Sequence, residues 1–251
     1  MTKPTAAEQL LIEYGITTPQ QIDLEAIAYD LGALVRFTPL QNHEARIVGV
    51  GDRAIITVDS TKSFRRRRFS LGHELGHWQL HRGTLLYCAS RDIGSERAAD
   101  AEKMANRFAA DLLMPRYLFH PELAKFTSPS WEVVAELSTL FNVSRPAAAI
   151  RLIDADRFPV VLVCHRPDGT RWFRRSPCVP DSWYVLEEID TRTTTLDLLH
   201  GSADETRART TPASAWFTRY DANRFQVREQ AIRSETDVYT LVWFLDRRAL
   251  G

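Results

Sequence analysis

The chain has 251 residues, of which 44% are hydrophobic and 25% charged, the proportions of a folded globular protein rather than a disordered one. Its 32 basic residues are balanced by 32 acidic ones; residues 1–155 carry 18 of each and the remaining residues 14 of each. Neither half is a basic module, which argues against binding to nucleic acid chiefly through phosphate neutralisation.

Residues 5–14 read as a short amphipathic helix with Leu10, Leu11 and Tyr14 on one face, stopped by Gly15. Asp23–Leu31 is a second, with Asp23 as N-cap, Leu24, Ile27, Ala28 and Leu31 at helical spacing, and Gly32 at its end. Three strands are expected at Ala33–Phe37, Ala45–Val50 and Arg53–Val58, the last two joined through Gly51-Asp52. The period turns helical from Lys62 to His81, and again from Glu96 to Leu113 before Pro115. After a loop at residues 127–131, Trp131–Phe141 and Arg145–Ile153 form two helices on a short turn, a helix-turn-helix-like segment.

Beyond residue 155 the chain becomes strand-rich. Strands are expected at Val160–Cys164, Arg171–Arg174, Trp183–Leu186, Phe225–Arg228 and Val238–Phe244, with Thr191–Pro212 as a long exposed loop. The aromatic group Trp172, Phe173, Trp183, Tyr184, Trp216 and Phe217 is read as core. The division is therefore residues 1–155, including the helical pair at 131–153, and an accessory or sensor-like domain at 156–251. No apolar run approaches the ~20 residues that span a bilayer. Glu8 and Glu13 interrupt the unbroken apolar core that a signal peptide needs. Cys88, Cys164 and Cys178 fit neither a disulfide framework nor a C-x-x-C metal site. A cytoplasmic protein with reduced thiols is expected.

The chemistry lies in His73-Glu74-Leu75-Gly76-His77, an H-E-x-x-H pattern inside a predicted helix. Residues i and i+4 stack on one helix face, so the two imidazoles can converge on one metal ion. Glu74 projects about 100° round the helix from His73, beside the ion, where it can hold and deprotonate a water. A zinc site of this kind needs a third protein ligand. The second helix offers Glu102, on a face with the small residues Ala98, Ala105 and Ala109, and Asn106 one turn on as partner to a ligating group. Asp100 and Glu96 are competing carboxylates. His81 is read as structural, because His73 and His81 would lie about 12 Å apart along one helix. The run Arg65–Arg68 reads as a solvated face, and Arg145–Ile153, mostly Pro, Ala, Leu and Ile, as packed on the core of residues 1–155 rather than in a DNA groove.

The stretch Arg66-Arg67-Arg68-Phe69-Ser70-Leu71-Gly72-His73-Glu74-Leu75-Gly76-His77-Trp78-Gln79-Leu80-His81 resembles the active-site helix of the ImmA/IrrE family of metallopeptidases, and Glu102–Pro115 resembles its second signature. The similarity covers roughly residues 5–155. It departs at Gly72, where the family more often has alanine. The resemblance implies an α+β, zincin-like peptidase domain with zinc on His73, His77 and Glu102, and Glu74 as general base, in a gluzincin-like arrangement. Manganese or iron could take the same ligands. It further implies a regulatory protease that cleaves a helix-turn-helix (XRE-type) repressor to derepress stress-response or mobile-element genes. Two alternatives stand beside it: a DNA-binding or antitoxin-like regulator with a structural metal, and a ligand-sensing module with a degenerate peptidase half.

Overall fold

A computed structural model describes residues 3–80 and 96–251; His81 and Cys88 lie outside the described residues. The chain divides into two compact units, one of Met1–Phe119 with Thr139–Ser144 and one of His120–Ser138 with Arg145–Gly251. The fold is mixed α+β.

The first unit begins with α1 (Ala6–Glu13) and α2 (Leu24–Asp30). Thr5 and Glu8 close a capping box on α1, and Asp23 accepts the amides of Glu25 and Ala26 on α2. Strands β1 (Ala33–Thr38), β2 (Ala45–Val50) and β3 (Arg53–Asp59) follow and form a three-stranded sheet of order β1-β3-β2. β1 runs parallel to β3, and β2 antiparallel. Helices α3 (Phe64–Leu80) and α4 (Glu96–Leu113) pack on each other, and α3 also lies on β2 and β3. Trp78 on α3 anchors this layer. Its indole N–H donates to the Leu31 carbonyl at 2.8 Å, and its ring sits so close over Gly49 that a Cβ there would come within 2.6 Å. Arg66 pairs with Glu44 at 2.6 Å, Arg67 stacks 5.4 Å from the Phe37 ring, and Arg68 donates to the Ile22 carbonyl at 3.3 Å. Much of the basic run thus holds the unit together instead of forming a free charged face.

Glu8 is a buried anchor of the same unit. Its carboxylate accepts the amides of Thr5 (3.0 Å) and Arg116 (2.7 Å) and the Arg116 guanidinium (2.9 and 2.5 Å). Burial alone would raise its pKa, but the Arg116 side chain and the two amides outweigh it and hold the carboxyl down at about 2. Because the folded value lies below the ordinary one, this stabilisation is complete above about pH 4.5 and fades as pH falls toward 2. Glu8→Gln is expected to lower unfolding free energy by about 3 kcal/mol at pH 7, with the gap to wild type closing in acid. Urea unfolding at the two pH values measures it.

α5 (Arg116–Leu123) and α6 (Trp131–Leu140) each begin in one unit and end in the other. The second unit adds α7 (Arg145–Asp154), β4 (Val160–His165), β5 (Arg171–Arg175), α8 (Thr194–His200), β6 (Arg209–Pro212), β7 (Gln226–Ser234) and β8 (Asp237–Phe244). The strands make an antiparallel sheet of order β5-β4-β8-β7-β6. One face carries Val161, Val163, Val242 and Phe244 into a core with Trp183, Trp216 and Phe217, as the sequence predicts for these aromatics; Tyr184 is half exposed. Trp131 of α6 donates its amide and its indole N–H to Gln230, both at 2.9 Å.

Several expectations are corrected here. α7 packs on β4 and β5, with Ala148, Ala149, Leu152 and Ile153 buried, where the sequence suggests the peptidase core. Trp183–Leu186 forms no strand, only a bridge between Val185 and Phe217. α5 lies on a stretch the sequence reading leaves unassigned: the Pro115 carbonyl accepts the Leu118 and Phe119 amides at its start, and Pro121 falls near its end. The supposed loop Thr191–Pro212 contains α8 and β6. Beside Leu198, the buried face of α8 is threonine, with Thr195 and Thr240 hydroxyls 2.7 Å apart and the Thr194 amide on the fully buried Glu229 at 3.1 Å. Apolar periodicity cannot reveal a helix that buries paired polar groups.

Candidate metal centre

α3 and α4 build the site by approaching closely. A Cβ on Gly76 would stand 2.9 Å from the Ala105 Cα and 3.1 Å from the Phe108 Cβ, whereas one on Gly72 would meet Ala109 at 3.4 Å. Glycine at 76 and the fully buried Ala105 and Ala109 let the backbones close in, and this brings a carboxylate of α4 to the histidines. The Glu102 carboxylate reaches His73 Nε2 at 3.3 Å and His77 Nε2 at 3.1 Å, and the two Nε2 atoms are 3.0 Å apart. Donor atoms of a tetrahedral zinc with bonds of 2.0–2.1 Å would be about 3.3 Å apart, so this triangle has the right size and the right N,N,O chemistry. Among the described residues it is the one His/Cys/Asp/Glu group with converging donors.

The surrounding residues orient these donors. His73 Nδ1 lies 3.0 Å from Asn106 Oδ1. An amide oxygen only accepts, so the proton sits on Nδ1 and the Nε2 lone pair points to the other donors. Asp100, one of the competing carboxylates, faces Lys103 at 3.4 Å instead. Glu74 is buried beside the triangle, with its Oε2 lacking a hydrogen-bond partner. Burial, and secondarily the charge of Glu102, push its carboxyl up to about 7. A buried carboxylate without a partner is costly unless something else meets it there, which a cation and its water would do.

Residues 28–153, half of the chain, match the family description "IrrE N-terminal-like domain" of peptidase family M78. The chain belongs to this family. The match spans α3 and α4, the helices that carry the triangle, and the family is typically metal-dependent. A solved structure described as a Mycobacterium tuberculosis transcriptional regulator shares 18% identity over 97% of this chain and 88% of its own length, with a TM-score of 0.63, a likeness of fold. A comparison with curated proteins found no match. For this M78 member no described helix is long and apolar enough to cross a membrane.

The structure thus brings together His73, His77, Glu102, Glu74 and Asn106. Elsewhere in the first unit, Arg116 clamps Glu8 and the Tyr117 hydroxyl donates to the Ile16 carbonyl at 2.8 Å. The residue that sequence reasoning misses is Gly76. Two glycines four apart inside a helix, Gly72 and Gly76, cost helix stability unless a neighbour comes close, and that is the available signal. If Asn106 orients His73, then Asn106→Ala should weaken zinc binding by about 10–100-fold while Asn106→Asp restores most of it. Competition against a chelator of known affinity gives the measurement.

Proposed function

We propose that this chain is a zinc-dependent endopeptidase whose substrate is a DNA-binding protein, a helix-turn-helix repressor of the XRE type, and that cleavage derepresses stress-response or mobile-element genes in the cytoplasm. The observation that carries the peptidase reading is the buried, unpartnered oxygen of Glu74 next to three converging donors. A purely structural site has no use for such a group and usually recruits a fourth protein ligand.

His73, His77 and Glu102 would hold the metal, and Asn106 would fix the His73 tautomer. Bound zinc supplies a Lewis acid that polarises the scissile carbonyl and acidifies water. Glu74 accepts the proton of the attacking water and passes it to the departing amine, a transfer suited to a carboxyl whose pKa is lifted toward neutrality. Resemblance to the family supports the repressor assignment, and manganese or iron in place of zinc would leave these roles unchanged. Direct DNA reading by the α6–α7 pair has less support, because Arg151 on α7 is itself buried.

Mixing the purified zinc-loaded protein with XRE-type helix-turn-helix repressors of the same genome should give two discrete fragments of one of them that disappear with chelator. No cleavage of any of them, with a general peptide still hydrolysed, would remove the substrate assignment and leave the peptidase. Truncation after residue 155 is a poorer test, since it strips Gln230 from Trp131 and the sheet from α7.

A further inference from the structure

The three-stranded sheet of the first unit has one face under α3 and another that no described element covers. Register places four rows on that second face, the last of them Thr38 and Asp59, whose buried carboxylate accepts the Leu40 and Thr61 amides. Leu34, Ile55 and Val48 lie side by side across the strands, all exposed. On one side of them stand Val50, the most exposed at 75%, and Arg53; on the other stand Arg36 and Arg46, flanking Thr57. Arg36, Arg46 and Arg53 are exposed and have no ion pair or hydrogen bond among the described residues, unlike Arg66 in the same unit. They are the only exposed charges on these rows, since Asp59 is buried.

We propose that this face docks an acidic amphipathic helix of a partner protein. The backbone groups within a sheet are already paired, so whatever lies on its face must satisfy its own backbone, which a helix does and an added strand does not. Three strands at 4.7–4.9 Å spacing present an aliphatic strip about 10 Å wide, roughly two helical turns. The flanking arginine rows are about 13 Å apart along β3, four residues on, so they meet carboxylates on both sides of the helix's apolar stripe. A second copy of this chain would bring the same cationic rows with no carboxylate to match them, which argues against self-association. The surface lies on the face of the sheet opposite α3, so it serves recognition or control and not the chemistry at His73.

The probe is a labelled 16-residue helical peptide with leucines on one face and glutamates elsewhere, alongside a version with every glutamate replaced by lysine. The glutamate peptide should bind the full-length protein with a dissociation constant on the order of tens of micromolar, and the lysine peptide should not. Arg36→Glu with Arg46→Glu should weaken the glutamate peptide about tenfold and admit the lysine peptide. Ile55→Ser, on the same face of the central strand and turned away from α3, should weaken binding as well, with a cooperative thermal transition retained. Equal binding of both peptides, binding unaffected by these substitutions, a dimer by light scattering that Ile55→Ser dissolves, or preferred capture by phosphatidylglycerol vesicles would each overturn the proposal.

Discussion

Glu74→Gln should bind zinc as the wild type does and cut its substrate about 10²–10⁴-fold more slowly, the usual contribution of a positioned general base. Glutamine has the shape of glutamate, so the packing around position 74 is retained, and His73, His77 and Glu102 keep their 3.0–3.3 Å triangle. What is lost is the ability to accept a proton. The metal-free variant should be as stable as wild type or somewhat more so, because the wild-type carboxylate is buried with an unpartnered oxygen and a neutral amide escapes most of that cost. Three readings separate the outcomes: zinc per chain, the thermal midpoint, and the cleavage rate under single-turnover conditions. His77→Ala should instead lose zinc and activity together. A Glu74→Gln protein that cleaves at the wild-type rate would transfer the base to another group.

The parts of the fold written in local pattern are legible in the sequence. Asp23 as N-cap, β2 at Ala45–Val50 and α4 at Glu96–Leu113 fall where caps, alternation and helical spacing place them. The two histidines are legible too, since a 3.6-residue period dictates that His73 and His77 share a face. Choosing Glu102 over Asp100 is a different matter. Spacing leaves both open, resemblance prefers one, and the packing of α4 on α3 brings Glu102 to the histidines while Asp100 faces Lys103. Features that depend on partners distant in sequence stay hidden. Glu229, fully buried, is tolerable only because Arg209, Trp216 and Thr194 reach it from three other segments, and the helix α8 exists on those terms. The Glu8–Arg116 pair joins residues 108 apart in the chain for the same reason.

Gly76 offers the other large effect, because it tests whether helix approach sets the metal site. Alanine is the better helix former by about 1 kcal/mol, so on propensity alone both Gly72→Ala and Gly76→Ala should stabilise α3. At position 72 the added methyl meets Ala109 at ordinary contact distance, and a gain of up to about 1 kcal/mol with unchanged zinc affinity is expected. At position 76 it would press to within 2.9 Å of the Ala105 backbone, which no rotamer change can relieve. Overpacking of this kind costs about 1–3 kcal/mol, enough to cancel the propensity gain or exceed it, and Gly76→Val should be worse still. The relief available is for α4 to move outward, carrying Glu102 from His73 and His77. Zinc affinity should therefore fall in step with stability at position 76 and not at position 72. Chelator competition and thermal unfolding on the same two variants decide it. If Gly76→Val keeps wild-type zinc affinity, the contact at Ala105 is not what places the third ligand, and flexibility in the Glu102 side chain must make up the distance.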